Sequence, residues 1–245
     1  MATLRCGPRL YSNIEAVLFD KDGTLADSAP YLIQLGQHRA QALEAQAPGV
    51  ESSLLRAFGL QGGQLNPAGL LAVASRAQTQ TAAAALVAAM GYDWHGAIAI
   101  AQAAFEAADT QMPRKAESTT LFPEARPLLA QLAQAQVKVG VISADVTANI
   151  DDFLGHHGLT EQVALVWGND CHPAKPDPLA YVAVCEMLGV APAQTLMLGD
   201  AAGDLSMATG AGAAGAIGVL WGWEGLGAIA GADLLLHYWH ELEVV

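Results

Sequence analysis

The chain has 245 residues, 53% of them hydrophobic and 14% charged, with a net charge of −13. This composition excludes a disordered chain, and the length supports a sizeable core in one domain with an insertion or in two modest domains. The acidic balance excludes non-specific nucleic-acid binding, because phosphates would be repelled. It leaves room for a small anionic substrate, since a metal ion and one lysine can reverse the local field.

The first residues, MATLRCGPRLYSN, contain no apolar run long enough for a signal peptide. Glu15 to Phe19 reads as a short buried strand that runs directly into Asp20-Lys21-Asp22-Gly23-Thr24. From Ala29 to about Met112 the pattern is helical. Pro30 to Gln46 forms one helix, ended by Pro48-Gly49, and Ser52 to Phe58 a shorter one. Asn66-Pro67 supplies an N-cap and an N1 proline for a long Ala-rich helix ending near Gly91, and Asp93 caps another from Trp94 to about Thr110. Four helices without an intervening strand predict a small helical bundle.

After Pro113 helix and strand alternate. Helices are predicted at Pro123 to Gln134, Val146 to Leu154, Leu179 to Leu188 and Leu205 to Thr209. Strands are predicted at Lys138 to Ile142, Val163 to Val166, Thr195 to Leu198 and Ala216 to Leu220. This alternation predicts a parallel sheet wrapped on both faces, with ligands bound beyond the carboxyl ends of its strands. No stretch reads as a membrane span, because Ala82 to Met90 is too short and glycines punctuate Thr209 to Trp223. Cys6, Cys171 and Cys185 lack metal-ligand or redox spacing, which fits inert thiols in a reducing, cytoplasmic setting.

Polar residues gather where the predicted strands end. Asp20 and Asp22 follow the first strand, on the same side with Lys21 opposite if the chain stays extended, and Gly23 permits a sharp turn. Ser143 follows KVGVI, Lys175 lies in the proline-bracketed loop HPAKPDP, and Asp200 follows TLMLG with Asp204 four residues on. Singly, each has a bland reading: a helix cap for the aspartates and the serine, a solvated loop residue for the lysine. Their joint order gives them weight.

That order resembles the haloacid dehalogenase superfamily of phosphohydrolases. The matching pieces are DKDGTLADS from Asp20, VISA ending at Ser143 and Ala144, KPDP from Lys175 and GDAAGD from Gly199 to Asp204. The glycine-rich tail AGAAGAIGVLWGWEG and the later Gly231-Ala232-Asp233 are similar too. The resemblance spans about Ile14 to Val245, apart from the helical insertion. It implies a doubly wound, Rossmann-like α/β core (residues 1–28 and 119–245) and an inserted α-helical cap (29–118) that closes over the site and excludes water. By the same resemblance Asp20 is the nucleophile that forms an aspartyl-phosphate, and Asp22 is the general acid and base. Mg2+ is held by Asp20, the Asp22 carbonyl, Asp200 and Asp204, an oxygen-rich set that suits it. Ser143, the amide of Ala144 and Lys175 hold phosphoryl oxygens, and Gly23 and Thr24 shape the turn.

The chain departs from the family pattern at two places. Lys21 stands where relatives commonly carry an apolar residue; it is expected to pair with a carboxylate away from the phosphate. Transport ATPases of the superfamily share that lysine but have threonine where this chain has Asp22, so Asp22 favours hydrolysis. Ala201 replaces a common Ser or Thr. Arg39, Arg56 and Arg76 read as solvated helix-face residues, and Trp221 and Trp223 as packing residues near the sheet edge. The expectation is a Mg2+-dependent phosphatase of a small phosphorylated metabolite, phosphoglycolate first, with no nucleic-acid or membrane partner and an open oligomeric state. The rivals are a sugar phosphatase or phosphomutase of the same fold, and a binding protein that keeps the fold without turnover.

Overall fold

The computed structural model describes residues 1–223 and 227–245, so Glu224 and Gly225, at the end of the glycine-rich tail, lie outside the described residues. By its internal contacts the chain divides into Met1–Asp27 with Thr119–Val245, and Ser28–Ser118. The first unit opens with two strands that the sequence pattern did not announce, β1 (Ala2–Cys6) and β2 (Arg9–Ile14), paired antiparallel. The chain's final strand, Leu242–Val244, pairs with the free side of β1, so both chain ends close one small sheet. Then come β3 (Ala16–Phe19), the buried strand expected, and the short β4 (Ala26–Asp27).

The second unit contains α1 (Ala29–Glu44), α2 (Glu51–Phe58), β5 (Leu60–Gln61), β6 (Gln64–Leu65), α3 (Leu70–Val73), α4 (Arg76–Ala89), α5 (Trp94–Asp109) and α6 (Lys115–Ser118). The long Ala-rich helix expected from Asn66 is therefore divided. Asn66 accepts the amide of Ala68 at 2.9 Å, which makes a turn, and Ser75 caps α4 instead. Ser75 and Gln78 exchange side-chain and backbone hydrogen bonds, a reciprocal cap that satisfies two orphan amides at once. Arg39 also departs from its expected solvated place. It is 6% exposed, donates to Asp109 Oδ1 at 2.9 Å and lies 4.5 Å from the centre of the Phe105 ring.

Back in the first unit follow β7 (Thr120–Leu121), α7 (Ala125–Gln134), β8 (Lys138–Ile142), α8 (Thr147–His156), β9 (Leu165–Trp167) and α9 (Pro178–Leu188). They are succeeded by β10 (Thr195–Gly199), α10 (Ala202–Ala211), β11 (Gly215–Val219), β12 (Leu234–Leu236) and β13, the final strand already described. Six strands form a wholly parallel sheet in the order β12-β11-β10-β3-β8-β9. Alternate side chains build two cores. Val17, Phe19, Val139 and Leu198 pack with α7, α8 and the small sheet, while Ala16, Leu18 and Met197 pack with α9 and α10. This is the doubly wound α/β fold expected. No helix among the described residues is long and apolar enough to cross a membrane.

The Arg39 pair generates an asymmetric prediction. Asp109 also accepts from Arg76 at 2.9 Å, so Arg39→Met leaves Asp109 paired, whereas Asp109→Ala strands a buried guanidinium. Asp109→Ala is therefore expected to cost on the order of 2 kcal/mol more in urea unfolding than Arg39→Met, discounted for the partial exposure of Asp109. Equal costs would contradict the pairing.

Candidate active site

The site is built where β3, β8 and β10 end side by side. Register pairs Phe19 with both Leu198 and Val141, so the residues after these strands emerge at one edge. Asp20 stays on that ladder, its amide donating to the Leu198 carbonyl at 2.9 Å. The chain then folds back sharply. The Lys21 carbonyl accepts the amides of Leu25 and Ala26, both at 2.9 Å, and Gly23 adopts φ +84°. A Cβ on Gly23 would collide with the Asp200 carboxylate and the Trp223 indole, so glycine is required for space as well as for backbone angle.

Three carboxylates meet here. Asp20, Asp200 and Asp204 are all buried, and one oxygen from each lies within 4.8 Å of the others. Asp200 follows β10; Thr24 Oγ1 donates to its Oδ1 at 3.3 Å. Asp204 sits in the first turn of α10, where its Oδ2 accepts the Ala201 amide at 3.2 Å. Lys175, from the loop before α9, donates to Asp20 Oδ1 at 2.6 Å and also pairs with Asp204. Asp177, two residues on, caps α9 by accepting the Leu179 amide at 2.9 Å, which anchors the end of that loop.

The electrostatics follow from burial. Desolvation, reinforced by the charges of Asp20 and Asp204, pushes the Asp200 carboxyl well above its ordinary range. Desolvation also pushes Asp204 up to about 6, against the pull of Lys175. For Lys175 burial disfavours the ammonium, but Asp20 and Asp204 outweigh it and raise its pKa. Three buried acids facing one ammonium leave an excess of negative charge. An all-oxygen donor set of this kind fits a hard divalent cation.

Ser143, Ala144 and Asp22 lie in the turns after β8 and β3. Ser143 is buried at the end of β8, its amide donating to the Trp167 carbonyl at 3.0 Å and its Oγ accepting the Asp145 amide at 3.2 Å. Ala144 is half-buried in the same turn. Asp22 is half-buried and does not share the three-carboxylate cluster; its Oδ1 accepts from Lys21 Nζ at 2.6 Å. The expected alternation, with Lys21 opposite both aspartates, fails because the chain turns instead of staying extended. Lys21 does pair with carboxylates, those of Asp22 and, at 3.3 Å, Asp145.

Sequence reasoning missed Asp145 and the polar use of the two tryptophans. Trp221 packs, stacking on Trp239 with ring centres 4.3 Å apart, but its Nε1 also donates to the Thr24 carbonyl at 3.0 Å. The Trp223 Nε1 donates to Asp200 Oδ2. Between them Gly222 lies against the Gly23 carbonyl with no space for a Cβ. The signal available was position: Trp-Gly-Trp comes just after β11, the strand beside β10.

A family model for haloacid dehalogenase-like hydrolases matches residues 14–212. The chain is 28% identical over 200 residues to the N-acetylmuramic acid 6-phosphate phosphatase of Pseudomonas putida, covering 81% of this chain and 80% of that protein. It is 27% identical over 222 residues to the phosphoglycolate phosphatase of Shigella boydii, covering 87% and 84%. A solved structure described as a predicted phosphoglycolate phosphatase from Haemophilus somnus has a TM-score of 0.67 at 18% identity, covering 91% of this chain and 94% of its own. A family hydrolase from Deinococcus radiodurans gives 0.61 at 20% identity, covering 94% of each. At these identities the two structures bear on the fold alone.

The raised acids predict how stability responds to pH without metal. Asp204 carries a value of about 6 against an ordinary 3.8, so its contribution is full below 3.8 and lost as the pH rises through about 6. Chelator-treated protein should therefore gain more stability than Asp204→Asn, by on the order of 1–3 kcal/mol, when taken from about pH 7.5 to about pH 5. Equal gains in urea titrations would contradict it.

Proposed function

The chain belongs to the haloacid dehalogenase-like hydrolases and is a phosphoric monoester hydrolase of that family; we propose that it cleaves a small phosphorylated metabolite through a phosphoenzyme on Asp20. The observation that carries this reading is the buried trio Asp20, Asp200 and Asp204 with Lys175 among them, at the carboxyl edge of a parallel sheet. A purely structural site gains nothing from three carboxylates in so small a space.

The chemistry balances as two displacements. A carboxylate oxygen of Asp20 attacks phosphorus while the ester P–O bond breaks, and Asp22 gives its proton to the departing oxygen. Water then attacks phosphorus, Asp22 takes the proton, and inorganic phosphate leaves as the Asp20 carboxylate returns. Lys175 neutralises phosphoryl oxygens, a cationic attraction of about 4 kcal/mol at ~4 Å and an effective dielectric of ~20. Ser143 and the Ala144 amide are assigned to the remaining oxygens. Asp20, the Asp22 carbonyl, Asp200 and Asp204 would hold Mg2+, which when bound supplies charge shielding between the two anions.

Phosphoglycolate is the first substrate assigned, in keeping with the relative of that name. A sugar-acid phosphate is the second reading, favoured by the Pseudomonas putida relative, which covers a similar share of the chain. Phosphate release from both compounds and from p-nitrophenyl phosphate, with Mg2+ and with EDTA, distinguishes them. Turnover is expected only with the metal. Asp20→Asn should lower kcat by about 10³ or more, and Asp22→Asn by about 10² to 10⁴. Metal-independent turnover, or an active Asp20→Asn enzyme, would overturn the mechanism.

A further inference from the structure

Lys21 is among the largest fully buried side chains of the molecule, 1% exposed. Removing an ammonium from water costs several kcal/mol, and a buried ion pair seldom stabilises more than an apolar side chain of the same volume. Stability therefore does not account for a lysine here. The contacts supply another reason. Lys21 Nζ donates to Asp22 Oδ1 at 2.6 Å, lies 3.3 Å from Asp145 Oδ2, and stands 5.5 Å from the centre of the Phe153 ring.

Asp145 is itself fixed. Its Oδ1 accepts the Val146 amide at 2.9 Å and Asn149 Nδ2 at 2.7 Å, while its Oδ2 faces Lys21. Its amide donates to Ser143 Oγ at 3.2 Å, so the same residue touches the phosphate-side turn and the lysine. Phe153 on α8 closes the apolar side. The result is a rigid link between the turns that follow the neighbouring strands β3 and β8.

We propose that Lys21, anchored by Asp145, is a positioning residue for the Asp22 carboxylate. Lys21 holds the Asp22 carboxylate through Oδ1, and the link to Ser143 through Asp145 keeps that carboxylate in register with the bound phosphoryl group. An apolar residue at position 21 would fill the volume but leave the carboxylate without direction. This inference rests on the reading of Asp22 as general acid and base.

Leaving-group dependence tests it. The kcat/KM of a phosphoenzyme-forming hydrolase reports the step that expels the alcohol. Loss of a general acid should therefore hurt phenyl phosphate more than p-nitrophenyl phosphate, whose phenolate departs readily. K21M alone would leave two carboxylates facing an apolar side chain, so K21M/D145N is the principal variant and D145N the milder second one. An amide in that place can still accept the Val146 and Asn149 hydrogen bonds, so D145N should fold even if the double variant does not. D22N is the reference.

D22N is expected to lose at least about tenfold more kcat/KM on phenyl phosphate than on p-nitrophenyl phosphate. K21M/D145N should show the same sign of discrimination, carried by kcat with KM changed little, and D145N a smaller part of it. If D22N discriminates while folded K21M/D145N and D145N keep the wild-type ratio, the positioning role is wrong and the Asp22 reading stands. If D22N itself does not discriminate, the Asp22 assignment falls and the proposal falls with it.

Discussion

Buried like charges are the constraint on which this molecule is built. Asp20, Asp200 and Asp204 are buried side by side, and carboxylates so placed need opposite charge close by. Lys175 is an internal partner that contacts two of the three. The raised pKa values of Asp200 and Asp204 are the residue of that imbalance. An excess of buried negative charge on oxygen donors suits a divalent cation. Parallel strands make the arrangement possible, since three strand ends in register deliver their next residues to one edge.

The turn after β3 is the second element that matters. It folds on the Lys21 carbonyl, and three contacts tie it to its surroundings: Thr24 reaching Asp200, Trp221 holding the Thr24 carbonyl, and Gly222 against Gly23. Lys21 ties the same turn to the end of β8. The turn that carries Asp20 and Asp22 and the turn at Ser143 are thus linked by short polar contacts rather than by one continuous helix or strand.

Much of this was legible in the chain. β3, β8 and β10 are buried on both faces and so read as unbroken apolar runs. Asp20, Asp200 and Lys175 were found by their place after such runs or between prolines. The small sheet of β1, β2 and β13 was not, because its pairing joins the two chain ends and no local pattern carries that. The divided Ala-rich helix escaped notice because Asn66 and Ser75 are both good caps, and only the turn at Asn66 decides between them. Burial of Lys21 and of Arg39 was equally hidden, since it depends on Asp145, Phe153 and Asp109, remote in sequence. The indole donors of Trp221 and Trp223 belong to the same class of information.

The central claim is that Asp20 carries the phosphoryl group in transit. Stopping turnover with acid, reducing the acyl phosphate with borohydride and mapping the modified peptide by mass spectrometry reads this directly. Reduction of an aspartyl-phosphate gives homoserine, and the account predicts homoserine at position 20 alone. An unmodified Asp20 during steady turnover, or the mark on another carboxylate, would contradict it.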